Sequence, residues 1–147
     1  MALTKVTSNV LNDGAVTTTK IVDLNVTTPK IAGDSITNEK AGAEFTTAAA
    51  LTMASPVALD YTAAQVFTLT PNANMTINIT NPVIGVSKVI VITGGGGSST
   101  LTFNVGGAAG TFNKISGDYD DTSAKKNFIQ ITCVANTEFW YSISQIG

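Results

Sequence analysis

Histidine and arginine are both missing from this chain, and each absence closes off a class of function. Without histidine the protein lacks the side chain that most often serves as general base and metal ligand. Without arginine it has no planar fork for phosphate or base edges, and its longest basic stretch is Lys125-Lys126. Nucleic acid is therefore not an expected partner, and neither an enzymatic activity nor a cofactor or metal is expected. Cys133 is the only cysteine, which excludes an intramolecular disulfide and a thiolate cluster. Its place among Ile129, Ile131 and Val134 in an apolar, alternating run predicts a buried structural thiol.

Charge is scarce too. Charged residues make up 12% of the chain and the net charge is −2, while 44% of the residues are hydrophobic. Such a chain is not kept disordered by charge, and Thr, Asn, Gly and Ser supply most of its polarity. No apolar run approaches the roughly 18 residues of a membrane span. The first residues lack the basic flank and apolar core of a signal peptide. The expectation is a soluble product made in a cytoplasm, without membrane insertion.

What is present begins with a repeat. Written in tens from Val6, residues 6–45 read VTSNVLNDGA, VTTTKIVDLN, VTTPKIAGDS and ITNEKAGAEF. Val6, Val16, Val26 and Ile36 share one column, each followed by Thr. Leu11, Ile21, Ile31 and Ala41 share a second column five residues later. Apolar residues five apart fall about 140° from one another on an α-helix, so they would wind around it instead of forming a stripe. The β-branched residues and the turn-prone Asn12-Asp13-Gly14, Pro29 and Gly33-Asp34 also oppose helix. Short extended pieces separated by turns fit better. A single file of Val6, Leu11, Val16, Ile21, Val26, Ile31 and Ile36 cannot bury itself, and stacked neighbours can supply the missing surface. A parallel homotrimer with these residues as its core is the expected solution. A single-chain solenoid is the alternative, set aside because ten residues are few for one coil.

Residues 46–56 read as a linker of small residues, with a short helix over Thr46 to Ala54 as the alternative, between this shaft, residues 1–45, and a head domain, residues 57–147. In the head, residues 65–70, 74–80 and 100–105 alternate apolar and polar with the period of a strand. Residues 88–93 form a near-continuous apolar run, as expected of a strand buried on both faces. Residues 127–134 and 138–144 complete the set, and turn chemistry separates the runs. Seven or eight short strands of this kind predict an all-β, jelly-roll-like β-sandwich. All ten aromatics lie at Phe45 or beyond, so the large core belongs to this C-terminal part.

Four motifs bear on chemistry. Gly94-Gly95-Gly96-Gly97-Ser98-Ser99-Thr100 lacks the lysine of a phosphate loop and precedes a strand, so it reads as a flexible hairpin turn. Asp118, Asp120 and Asp121, with Tyr119 among them, could contribute to a Ca²⁺ site but match no EF-hand spacing and read as a solvated turn. These four residues, the turn from Gly106 to Gly110 and the turn from Gly94 to Ser99 are the candidate surface-binding loops, because loops tend to carry binding. Phe139-Trp140-Tyr141 could offer an aromatic platform for sugar or protein contact. A strand would turn Trp140 away from the other two and place at least one side in the core, so core packing is the favoured reading over ligand contact. Three Asn-X-Thr sequons, at Asn25, Asn74 and Asn78, follow from the Thr/Asn-rich composition.

Two parts of the chain resemble bacteriophage fibre proteins. Gly14-Ala15-Val16-Thr17-Thr18-Thr19-Lys20-Ile21 is similar to the shaft repeats of phage tail fibres. From Asn72 onward, Met75-Thr76-Ile77-Asn78-Ile79-Thr80-Asn81-Pro82, Val89-Ile90-Val91-Ile92, Leu101-Thr102-Phe103 and the closing Trp140-Tyr141-Ser142-Ile143-Ser144 resemble a β-sandwich module at the ends of such fibres. The resemblance implies a homotrimeric virion protein, contacting other virion proteins through its N-terminal segment and exposed to a host surface glycan or protein. Because the repeats begin almost at Met1, a short peg seated in a larger assembly is expected. A capsid decoration, cement or head-fibre protein is the alternative, and a hydrolase of surface polysaccharide acting through Asp120 or Asp121 a remote one.

Overall fold

A computed structural model describes residues 41–147. Apart from one helical turn, Ala43–Thr46, its regular structure is β. The described residues form nine strands: β1 (Ala48–Ala50), β2 (Val57–Asp60), β3 (Val66–Leu69), β4 (Met75–Thr80), β5 (Ser87–Thr93), β6 (Leu101–Val105), β7 (Thr111–Ser116), β8 (Lys126–Ala135) and β9 (Glu138–Ile146). Val6, Leu11, Val16, Ile21, Val26, Ile31 and Ile36 lie outside the described residues.

The strands divide between a six-stranded sheet, in the order β1-β3-β5-β8-β9-β7, and a three-stranded sheet, β2-β4-β6. From β1 to β6 the chain alternates strictly between the two sheets. Neighbours within each sheet are therefore parallel, with Ala48 beside Val66, Val66 beside Val89, Val57 beside Ile77, and Ile77 beside Phe103. This is a β-solenoid-like winding in which one coil holds one strand from each sheet. The last three strands close the larger sheet differently, because β8 is antiparallel to both β5 and β9, while β7 runs parallel to β9.

Alternation decides what faces inward. Along β4, Met75, Ile77 and Ile79 are buried and the threonines and asparagine between them are half-buried. Ile129, Ile131 and Cys133 of β8 do the same from the larger sheet. They meet Val57, Leu59, Phe67, Ile90, Ile92 and Phe139 in one core shared by the two sheets. Stacked rings extend it, Phe112 lying 5.0 Å from Phe139 and 5.3 Å from Phe103. Each fully buried aliphatic or aromatic side chain contributes about 1.5–3 kcal/mol relative to exposure.

Three expectations change. The jelly-roll-like connectivity gives way to coils, and the corners of those coils are buried. A hairpin loop keeps its residues in solvent, whereas Tyr61, Ala64 and Pro71 in the β2–β3 and β3–β4 connections are buried. They swing the chain over the core to the opposite sheet, and the Tyr61 hydroxyl donates to the Ile131 carbonyl at 3.2 Å. Second, part of the segment expected to be a linker joins the sheet, with Ala48–Ala50 pairing alongside Val66 to Thr68. Third, β5 is not covered equally on both faces. Ile90 and Ile92 are buried, but Val89 and Val91 are only half-buried, and the inward face begins with Lys88, which is fully buried. Its Nζ lies 5.7 Å from the ring centres of Phe45 and Tyr61, where an ammonium is attracted to the negative ring faces.

Candidate functional site

The glycine-rich and acidic segments, more than twenty residues apart in sequence, meet at one end of the domain. Gly94 to Ser99 carries the chain from β5 to β6, and Asp118 to Lys125 leads from β7 into β8. Main-chain bonds fasten them together: Gly94 N–H donates to Lys125 O at 2.7 Å, Gly96 N–H to Asp121 O at 2.7 Å, and Ala124 N–H to Gly94 O at 3.1 Å.

Asp121 is the centre of the arrangement. Its Oδ1 accepts from Gly95 N–H at 2.9 Å and from the Tyr119 hydroxyl at 2.7 Å. Its Oδ2 accepts from Gly97 N–H at 3.0 Å and from Ser99 N–H at 2.7 Å. Desolvation opposes ionisation here, yet the N–H groups of Ser99 and Gly95 and the hydroxyls of Tyr119 and Ser99 outweigh it. The carboxyl is held well below the usual carboxylate range. The glycines are required by contact: a Cβ on Gly94 would stand 2.2 Å from Thr122 O, and one on Gly95 2.3 Å from Pro71 O. The expected flexible hairpin turn is thus a crossover between sheets, anchored by a carboxylate.

The neighbouring acids do not share this role. Asp118 pairs with Lys114 in an exposed ion pair. Asp120 turns back on its own loop, with Oδ1 accepting from Thr122 N–H at 2.9 Å. The Thr122 hydroxyl and N–H lower its pKa. Burial, followed by the bond to Asp121, pushes the Tyr119 phenol above its ordinary value. Behind the loop stands the fully buried Asn127, which sequence reading did not single out. Its Oδ1 accepts from Asp120 N–H at 2.8 Å, and its Nδ2 donates to Asp120 O at 2.7 Å and to Ile92 O at 3.3 Å. A polar residue at an inward position of an otherwise apolar strand was the available signal.

The three carboxylates therefore point to three different partners. Among the described residues no group of three or more Asp, Glu, Cys or His is placed to hold a metal. Between the two loops lies an open groove of about 430 Å³ lined by Gly96, Ser98, Asp120, Asp121, Thr122 and Ser123. Neither Asp120 nor Asp121 is a carboxyl kept protonated, as a general acid for glycoside cleavage must be.

Gly106, grouped with these residues in the sequence reading, sits elsewhere. It begins a two-residue turn after β6, in which Val105 and Ala108 exchange main-chain bonds of 2.9 and 3.0 Å. Gly106 and Gly107 have φ of +59° and +80°, and Gly107 N–H donates to Asn78 Oδ1 at 2.7 Å. Phe139 and Trp140 divide as strand alternation demands, with Phe139 buried and Trp140 half exposed. Cys133 is buried, and desolvation raises its thiol pKa. No protein-family model, curated protein or solved structure matches the chain.

Proposed function

We propose that this protein is a structural, non-catalytic virion component, a short trimeric phage fibre whose repeats wind three chains into a shaft and whose β domain is the exposed head. The observation that carries this reading is the repeat itself, with Val6, Val16, Val26 and Ile36 in one register and Leu11, Ile21 and Ile31 in the other. Such spacing makes neither a helical stripe nor a self-sufficient core, and parallel copies meeting in register provide the missing surface. The described domain suits a head, since its surface loops are braced against a packed core by Asp121 and Asn127.

Sedimentation equilibrium of the full chain tests the reading. The expected mass is three times that of the 15.1 kDa chain, and a monomer at micromolar concentration would overturn it. Val16→Asp with Val26→Asp should dissociate the trimer by placing charges at its centre. A capsid decoration or head fibre shares the trimer and differs in location. Virions labelled at the C-terminus distinguish the two, with label at the tail for a tail fibre and over the head for a decoration.

A further inference from the structure

Trp140 is the only tryptophan in the chain, and it is not part of the core. It is 49% exposed on the outer face of the six-stranded sheet. Its indole N–H donates to Glu138 Oε1 at 2.9 Å, and the Asn113 amide donates to the same oxygen at 2.9 Å. A half-exposed ring held by its edge costs little to order on binding and presents an apolar face to solvent.

The register places polar groups in a row through this ring. Asn113 of β7, Trp140 of β9, Thr132 of β8 and Ser87 of β5 are successive cross-strand partners. Neighbouring strands stand about 4.8 Å apart, so the row spans roughly 14 Å, the length of two or three linked sugar rings. On one side of the ring, Glu138 Oε2 and Asn113 Oδ1 are acceptors. On the other, the hydroxyls of Ser87 and Thr132 lie 2.7 Å apart. Only one of their two protons is used between them, which leaves the other for a ligand.

The geometry points to a subsite for a neutral sugar on this face, with Trp140 as the platform and Glu138, Asn113 and the Ser87–Thr132 pair as its polar rim. A pyranose has an apolar face of polarised C–H groups, which suits the negative face of an indole, and a ring of hydroxyls, which suits mixed donors and acceptors at its edge. The row itself holds no ionisable group, and the Glu138 carboxylate beside it repels an anionic sugar, so a neutral sugar fits where an acidic one does not. Lys126, on the same face of β8, is six residues from Thr132, roughly 20 Å along a strand and beyond the screening length of about 8 Å. The subsite rests on the fibre reading only in that this face is open to solvent.

Fluorescence of the single tryptophan is the direct probe. Full-length protein is titrated with neutral hexose and N-acetylhexosamine oligosaccharides of two to four units, and with a sialylated oligosaccharide of the same length. The expected result is a saturable change in Trp140 emission with at least one neutral oligosaccharide at millimolar concentration, and none with the sialylated one. By calorimetry, Trp140→Ala should weaken that binding tenfold or more and Glu138→Gln severalfold, with unchanged thermal midpoints. Three outcomes would overturn the subsite: no response to any neutral oligosaccharide, binding that survives Trp140→Ala, or preference for the sialylated ligand. A shift of Trp140 emission with protein concentration alone, showing the face covered by another copy, would overturn it too. Sedimentation of the same samples keeps the two proposals apart, since a monomer that binds sugar removes only the fibre, and a trimer that does not removes only the subsite.

Discussion

The two glycine-rich turns of this protein look alike as sequence, and the fold needs glycine in them for different reasons. Gly94 to Gly97 is held from outside, by the Asp121 carboxylate and by the main chain of residues 121–125. Gly106-Gly107 is closed by the exchange between Val105 and Ala108, with positive φ at both glycines, and is tied to β4 by Gly106 N–H donating to Ile79 O and Gly107 N–H to Asn78 Oδ1. Gly94 and Gly95 are needed at the first turn because other atoms come too close, and Gly106 and Gly107 at the second because of backbone conformation. Composition cannot distinguish these two reasons, and substitution can.

The largest effect should come from filling the first turn. Gly94→Ala places a methyl group against Thr122 O and the Asp121 main chain, neither of which can rotate away. We expect a loss of about 3 kcal/mol, read from the urea midpoint, with Gly95→Ala close behind through Pro71 O. A loss below that of Gly106→Ala would break the distinction.

Removing the anchor comes next. Asp121→Ala leaves the N–H groups of Gly95, Gly97 and Ser99 without their acceptor, although water reaches part of this loop. A loss of about 2 kcal/mol is expected. The same carboxylate sets a pH dependence. Its folded pKa lies below the unfolded value of about 3.9, so its contribution is present above that value and is lost as pH falls through it towards the folded one. Acid unfolding followed by circular dichroism should show less stability lost below about pH 4 in Asp121→Asn than in the native protein. Asp60 works in the same direction, since the Thr62 N–H and the Asn81 amide lower its pKa.

The second turn should be more tolerant. A Cβ on Gly106 or Gly107 meets nothing within 4 Å, so Gly106→Ala carries only the penalty of positive φ, about 1 kcal/mol. Smallest of all is Trp140→Ala, expected within about 0.5 kcal/mol of native stability because the ring lies on the surface. A larger loss would mean that the platform supports the sheet.

Much of the fold was legible because alternation is a local property. The runs at 65–70, 74–80, 100–105, 127–134 and 138–144 all became strands whose alternating apolar residues face the core, while Phe128, Val134 and Trp140 are exposed. β2 and β7 escaped notice for opposite reasons. Val57–Asp60 is too short to show a period, and Thr111–Ser116 is too weakly buried to need one. Of the candidate site, Asp118 to Asp121 was recognisable as a cluster. Nothing local could show that Asp121 reaches a loop more than twenty residues upstream while Asp118 turns to Lys114.

By itself the sequence determined that the chain is β-rich, that Cys133 would be buried, and that Phe139 and Trp140 would face opposite ways. Side-chain hydrophobicity and a two-residue period suffice for those outcomes. Only the tertiary structure decided that successive strands wind between two sheets as parallel coils. Backbone N–H and C=O groups are the same at every residue, so they do not name their partner. Parallel pairing follows from the chain changing sheets after each of the first five strands, with the corner residues Tyr61, Ala64 and Pro71 buried. The fates of the three aspartates were settled by which donors the folded chain brought within reach.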